Sequence, residues 1–137
     1  MSRRLSDLEA TTEAMALQLI GDAEAAGISL LVVHTFRSME EQAQLYAKGR
    51  QLPGPIVTYA KPGYTWHNYQ RALDVVPMDA KGNLLWNAPM TTWTRLGEIG
   101  EKIGFVWGGR FKKFKDLGHF ENSRGLKLVD FRMGRAS

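Results

Sequence analysis

The chain is predicted to adopt an α+β fold, a single domain in which helices pack on a small, largely antiparallel sheet. Three observations lead there. A length of 137 residues suits one hydrophobic core, burying about two-thirds of the unfolded surface. Short apolar, β-branched runs such as Ser29-Leu30-Leu31-Val32-Val33-His34-Thr35 have the length and composition of buried strands. Between them lie longer stretches with capping residues at one end and glycine at the other, the marks of helices.

Taken in order, Ser6-Asp7-Leu8-Glu9 reads as a capping box opening a first helix. Its apolar residues include Leu8, Met15, Leu17, Leu19 and Ile20, and Gly27 closes it. The strand from Ser29 follows. A second box, Ser38-Met39-Glu40-Glu41, begins a shorter helix through Leu45 and Tyr46 that stops at Gly49. Residues 50–65 are rich in Pro and Gly and read as loop, with a short extended piece at Ile56-Val57-Thr58. Ala72 to Val76 is a strand stopped by Pro77, and Leu84-Leu85-Trp86 returns after a turn at Asp79–Asn83. Thr91 or Thr92 caps a third helix carrying Trp93, Leu96, Ile99 and Ile103, closed by Gly104. Phe105-Val106-Trp107 and His119-Phe120-Glu121 are the remaining strands.

Composition narrows the chemistry. Cysteine is absent, so neither a disulfide framework nor a thiolate zinc cage is possible. The start, Met1-Ser2-Arg3-Arg4-Leu5-Ser6-Asp7, is basic but has no apolar run behind it; no signal peptide or transmembrane segment is expected. A net charge of +4 favours anionic partners, with nucleic acid and an anionic cell envelope both open.

The chemistry-bearing residues concentrate in two stretches, Thr65-Trp66-His67-Asn68-Tyr69-Gln70-Arg71-Ala72-Leu73-Asp74 and Asp116-Leu117-Gly118-His119-Phe120-Glu121. They hold two of the chain's three histidines. Two imidazoles and two carboxylates suffice for a catalytic zinc site: three ligands leave a fourth position for water, and the remaining carboxylate takes its proton. Asp74 among β-branched residues is costly to bury unless paired or metal-bound; a salt bridge to Arg71 or Arg37 is the alternative. Asp116 and His119 stand three apart, so that one can ligate while the other reaches the water.

Thr65-x-His67-x6-Asp74 followed by Asp116-x-x-His119 resembles the signature of the LAS zinc peptidases, the D-alanyl-D-alanine carboxypeptidases and L-alanyl-D-glutamate endopeptidases that cut peptidoglycan stem peptides. Thr35-Phe36-Arg37-Ser38, Glu41-Gln42, Leu45-Tyr46-Ala47-Lys48-Gly49-Arg50, Ile56-Val57-Thr58, Leu85-Trp86-Asn87 and Trp107-Gly108-Gly109 extend the likeness, which is strongest over residues 28–121 of one catalytic domain, 1–137, without a wall-binding module. The resemblance implies the hedgehog/D-Ala-D-Ala peptidase-like fold and one Zn2+ per chain held by His67, Asp74 and His119. It also implies Asp116 as general base and Arg37 as the group that holds substrate and the developing oxyanion. Thr65 replaces the usual Ser beside the first ligand. Gln70 stands where the family generally has Gly, which predicts a reshaped loop behind the metal.

Other residues read two ways. His34 is a satisfied strand histidine or lines the groove. Glu121, two after His119, orients that ligand or is a plain surface carboxylate. Thr65, Arg37 and Trp66 are candidates for substrate binding, with Tyr69 and Phe111 as further groove walls, whereas Trp107 reads as core. The loop Arg110-Phe111-Lys112-Lys113-Phe114-Lys115 interleaves cations with aromatics, as nucleic-acid contacts do, but it runs into Asp116 and reads as a substrate-side loop. The basic tail with Arg124, Lys127, Arg132 and Arg135 is a solvated segment or a lipid contact. The expected whole is a monomeric, bacteriolytic L-alanyl-D-glutamate endopeptidase like the single-domain bacteriophage endolysins. It would be made in the bacterial cytoplasm without an export signal and reach periplasmic peptidoglycan once a membrane pore opens. It would neither bind nucleic acid nor insert stably into membrane. A D-Ala-D-Ala carboxypeptidase or dipeptidase is the nearest rival, and a basic nucleic-acid-binding module is the rival from another class.

Overall fold

The structure, a computed structural model, describes residues 1–136. Its centre is a four-stranded antiparallel sheet in the order β1-β2-β4-β3. The strands are β1 (Ser29–His34), β2 (Ala72–Met78), β3 (Val106–Trp107) and β4 (His119–Glu121). Helices α1 (Ala10–Ala25) and α3 (Met90–Ile103) pack against each other, α1 also meeting β1 and α3 meeting β3. Helix α2 (Met39–Ala47) follows β1, and a short α4 (Leu128–Arg132) ends the described chain. The α+β expectation holds.

Period-two alternation along β2 explains the layering. Leu73 and Val75 are fully buried in a core shared with Leu19, Trp93, Leu96, Phe105 and Phe120. Each such apolar side chain contributes about 1.5–3 kcal/mol when fully buried. Helix α3 can come this close to the sheet because a Cβ on Gly100 would lie 2.4 Å from the Phe120 ring. A second, smaller cluster joins Trp66, Ala72 and Phe131, with the Trp66 and Phe131 ring centroids 5.1 Å apart. That cluster folds α4 back toward the segment before β2, so this part of the basic tail is packed rather than loose.

Several local expectations are corrected. The first helix starts at Ala10, not at a box on Ser6: Leu5–Asp7 forms a 3-10 turn, and Glu9 is the cap, its carboxylate accepting from the Thr12 and Thr11 amides at 2.6 and 3.2 Å. One carboxylate there satisfies two orphaned donors at once. The second box is present as expected, with Ser38 and Glu41 capping reciprocally. Helix α3 begins at Met90 after Pro89 without a side-chain cap, so Thr91 and Thr92 lie inside its first turn; the proline ring presets the backbone angle. Pro77 does not stop β2, which runs on to Met78. Its carbonyl accepts from the Leu85 amide at 2.8 Å. A strand residue's N–H and C=O point the same way, so the missing N–H faces away from β1 and costs no bond there. Leu84 makes only an isolated bridge to Met78 instead of a returning strand.

Candidate active site

The site sits on the sheet face opposite the helical core. Cross-strand pairing puts Asp74 of β2 opposite His119 of β4 on one side and His34 of β1 on the other. The His34 pairing results from a register shift between Val32 and His34. Without that bulge, Val33 would follow Val32 and stand across from Asp74; the extra residue presents an imidazole instead. Its Nδ1 lies 3.4 Å from Asp74 Oδ2. His34 therefore belongs to the cleft wall.

His67 comes from a 3-10 turn, Trp66–Tyr69, capped by Thr65, whose hydroxyl accepts from the His67 amide at 3.4 Å. Gln70 ends the turn with φ 62° and ψ 27°. Gln70 thus holds a left-handed angle of the kind that favours glycine. That conformation costs about 1 kcal/mol or more in a residue with a Cβ. It is offset by a 2.8 Å bond from Gln70 Nε2 to the Asp7 carbonyl and a 3.0 Å bond from the Glu9 amide to the Gln70 carbonyl.

His67, Asp74 and His119 each offer one ligand atom, all within 4.8 Å of one another. Both imidazoles are buried, and the far nitrogen of each is committed: His67 Nδ1 donates to the Thr35 carbonyl at 2.8 Å and His119 Nε2 to Glu121 at 2.7 Å. Ser123 donates in turn to Glu121 at 2.6 Å. These bonds fix each ring's orientation, leaving His67 Nε2 and His119 Nδ1 aimed at Asp74 from 3.2 and 3.1 Å. Asp74's carboxylate meets three histidines, not the arginine that was the alternative partner.

Electrostatics point the same way. Burial works against charge on Asp74, but the bonds from His119, His34 and His67 hold its carboxyl well below the usual range. Burial likewise opposes charge on His119, yet Asp74 and Glu121 push it up to about 10. The pocket thus concentrates negative potential where two ring nitrogens converge, a setting that favours a cation. Two imidazoles and a carboxylate, with no thiolate, suit zinc in a catalytic rather than a structural role. The donor set fits the metal.

A cleft of about 780 Å³ opens over these groups, walled by His34, Arg37, Thr65, Phe111, Asp116 and Glu121 among others. Asp116 stands open to the cleft. No hydrogen bond among the described residues engages its carboxylate, while its amide donates to Gly108 at 3.0 Å. Desolvation by the cleft walls raises its pKa, the charge of Asp74 adding to this, against the pull of His119, His67 and Arg37. Gly118 brings β4 against β2, since a Cβ there would lie 2.3 Å from the Val75 carbonyl oxygen.

The structure brings His67, Asp74, His119, Asp116, Arg37, Thr65 and Glu121 to one cleft, while two aromatic groove walls expected from sequence change role. Trp66 touches the cleft but is buried against Phe131 and Tyr69, so packing dominates its role. Tyr69 is held in the same cluster rather than lining the cleft; Phe111 does line it, 5.8 Å from the His119 ring. Trp107 is core, its indole N–H donating to the Leu117 carbonyl at 2.8 Å. Two supports went unassigned. Fully buried Gln42 accepts from Arg37 Nη1 at 2.9 Å and donates to the Ala60 carbonyl at 2.7 Å. Asn68 donates to the Arg37 carbonyl at 2.8 Å and accepts from the Gly63 amide at 2.9 Å. The signal for Gln42 was a polar residue on the inner side of a short amphipathic helix, five after the arginine.

Two imidazoles and a carboxylate able to hold a metal, with an unengaged carboxylate beside them on an open cleft, are the donor set of a metallohydrolase. Sequence comparison narrows the class. Residues 59–122 match a family described as D-alanyl-D-alanine carboxypeptidase. The chain is 37% identical over 123 residues to the peptidoglycan L-alanyl-D-glutamate endopeptidase CwlK of Bacillus subtilis, spanning 85% of this chain and 74% of that protein. Its fold resembles the Serratia marcescens L-Ala D-Glu endopeptidase ChiX, with a TM-score of 0.62 at 23% identity over 96% of this chain and 87% of that one. It also resembles the D,D-pentapeptidase VanY of a VanB-type resistance cassette, solved with Zn(II), with a TM-score of 0.59 at 17% identity over 91% and 83% of the two chains. The chain belongs to the D-alanyl-D-alanine carboxypeptidase and L-alanyl-D-glutamate endopeptidase family of peptidoglycan peptidases, and it is a hydrolase.

Proposed function

We propose that the protein is a zinc-dependent L-alanyl-D-glutamate endopeptidase acting on peptidoglycan stem peptides with one zinc ion per chain. The observation that carries this reading is the convergence of His67, Asp74, His119 and Asp116 on one open cleft. A CwlK relative at 37% identity over most of the chain supports the choice of bond.

In this mechanism His67 Nε2, Asp74 and His119 Nδ1 would hold the metal, the far nitrogens of the two rings locked by Thr35 and Glu121. When bound, zinc supplies Lewis acidity, acidifying water and polarising the scissile carbonyl. Asp116, its carboxylate unengaged, takes the proton of the attacking water and returns it to the leaving amine. Arg37, held by Gln42 and backed by Asn68, points its guanidinium at the cleft and stabilises the developing oxyanion. Such a donor is worth about 3–4 kcal/mol of barrier in other enzymes.

Mass spectrometry of digested peptidoglycan tests the reading. Cleavage should leave L-Ala on the glycan strands and release peptides with a free D-Glu amino terminus. Release of D-Ala alone would instead support a D-Ala-D-Ala carboxypeptidase, the reading favoured by the description of the family that matches residues 59–122.

The biological role we assign is host-cell lysis by a monomeric bacteriophage endolysin that needs no nucleic acid. It is made in the cytoplasm and reaches the periplasm once a separate pore opens the membrane. The +4 net charge favours the anionic envelope around its substrate. No helix among the described residues is long and apolar enough to cross a membrane. Lysis of producing cells only when a pore-forming protein is co-expressed is the expected result; lysis without it would overturn this account of how the enzyme reaches the wall.

A further inference from the structure

The basic aromatic loop before Asp116 has no part in the chemistry above, yet its last residue, Lys115, lines the cleft next to the proposed base. Resting on the endopeptidase reading, we propose that Lys115 is a specificity-determining residue. It receives the free α-carboxylate of the D-glutamyl residue on the leaving side of the scissile bond and so selects acidic over amidated stem peptides.

The argument begins with charge. Asp74, Asp116 and Glu121 all line the cleft. Against them stand the metal, which Asp74 would hold, the Met1 ammonium paired with Glu41, Arg37, bonded to Gln42 and Met1 and facing the charges of Asp74, Glu41 and Asp116, and Lys115. A substrate carboxylate brought beside Asp116 would be repelled unless a cation met it. Lys115 is available for this: its one hydrogen bond among the described residues is to the Gly109 carbonyl at 3.3 Å. An ammonium has three donors, so two remain.

Substrate connectivity supplies the position. D-Glutamate is joined onward through its γ-carboxyl, so its α-carboxylate hangs from the carbon bonded to the scissile nitrogen. The group that returns a proton to that nitrogen therefore stands close to the carboxylate, and Lys115, which precedes that group in the chain, lines the same cleft with its ammonium at the Gly109 carbonyl. The loop is pinned at several points. The Phe114 ring stacks on Tyr59, which also lines the cleft, at 4.7 Å and 10° between planes. The Asp116 amide is bonded to Gly108, and the Asp116 carbonyl accepts from the His119 amide at 3.2 Å. Lys112 and Lys113 share the loop but do not line the cleft, so Lys115 alone of the three is placed to discriminate.

The test uses the zinc-loaded full chain and two synthetic stem peptides that differ only in a D-glutamyl α-carboxylate against its α-carboxamide. The readout is the ratio of kcat/KM for acid over amide, with zinc content measured alongside. Wild type should prefer the acid by about tenfold, the scale of one charge-assisted hydrogen bond. Lys115→Gln should bring the ratio near one, and Lys115→Glu should invert it, zinc content staying stoichiometric. Lys112→Gln should keep the wild-type ratio. A ratio near one in wild type, or a preference that survives in Lys115→Gln, overturns the assignment. If wild type cuts neither peptide at L-Ala–D-Glu but releases D-Ala from a longer stem, the endopeptidase reading has failed and this inference falls with it.

Discussion

The two faces of β2 are built from one seven-residue strand and follow opposite rules. On one face Leu73 and Val75 vanish into an apolar core with Leu96 and Phe120, where shape and area decide stability. On the other, Asp74 is surrounded by three imidazoles at 3.1–3.4 Å, where hydrogen bonds and charge decide everything. The difference teaches that the sheet is a partition. The apolar face supplies the free energy that lets the polar face hold a buried carboxylate and two rings in a geometry that, without a cation, costs more than it contributes.

The sharpest way to break the comparison is to strike the polar face alone. His67→Ala should lower turnover by about three orders of magnitude and lose stoichiometric zinc after dialysis, with the fold kept by circular dichroism. Asp116→Ala should lower kcat by about 10²–10⁴-fold while zinc stays bound. Loss of metal in the second variant would move Asp116 from base to ligand.

Striking the apolar face should do the reverse. Leu96 is fully buried, and Leu96→Ala should cost about 2–5 kcal/mol of stability, seen as a lower denaturant midpoint. Below that midpoint the folded fraction should still bind zinc and turn over near wild-type rates; a matching loss of kcat would show that the faces are not independent.

A smaller effect comes from Glu9, which caps α1 and reaches across to Asn122 beyond β4. Burial works to raise its pKa, but bonds from Thr12 and Thr11 prevail and leave it below the ordinary value. A depressed folded pKa means stability fully present above the unfolded value, about 4.3, and lost as pH falls through the folded one. Glu9→Gln should therefore melt below wild type at neutral pH, by about 1 kcal/mol for a cap. The gap should narrow toward pH 3; a gap that widens in acid would reverse the sign of the linkage.

The smallest effect is expected at Gln70. Gln70→Gly relieves the left-handed strain but gives up the bond to Asp7 and loosens the unfolded chain. These offset to within about 0.5 kcal/mol by denaturant titration. A larger loss would show that the Asp7 bond matters more than the backbone angle.

Much of this was legible beforehand, for reasons that differ by residue. The α2 capping box and the β1 run are set by neighbours a few positions away. The donor set His67, Asp74 and His119 was readable through the resemblance of Thr65-x-His67-x6-Asp74 and Asp116-x-x-His119 to a peptidase signature; side-chain chemistry alone marked only Asp74, a carboxylate in an apolar strand that needs a partner. What misled were ends and edges: Pro77 continues β2 because its missing N–H faces away from β1, and Glu9 displaced Ser6 as a cap. Trp66 went from groove wall to packed ring because Phe131, far along the chain, lies against it.

The amino-acid order by itself determined which atoms could bind a metal and which segments would be helix or strand, since short-range periodicity and side-chain chemistry act locally. Only the tertiary structure decided that a bulge turns His34 toward Asp74, that Gln42 and Asn68 steady Arg37, and that Lys115 is held at the cleft by a loop pinned to Tyr59. Those contacts depend on strand register and loop closure, which a stretch of sequence does not carry within itself.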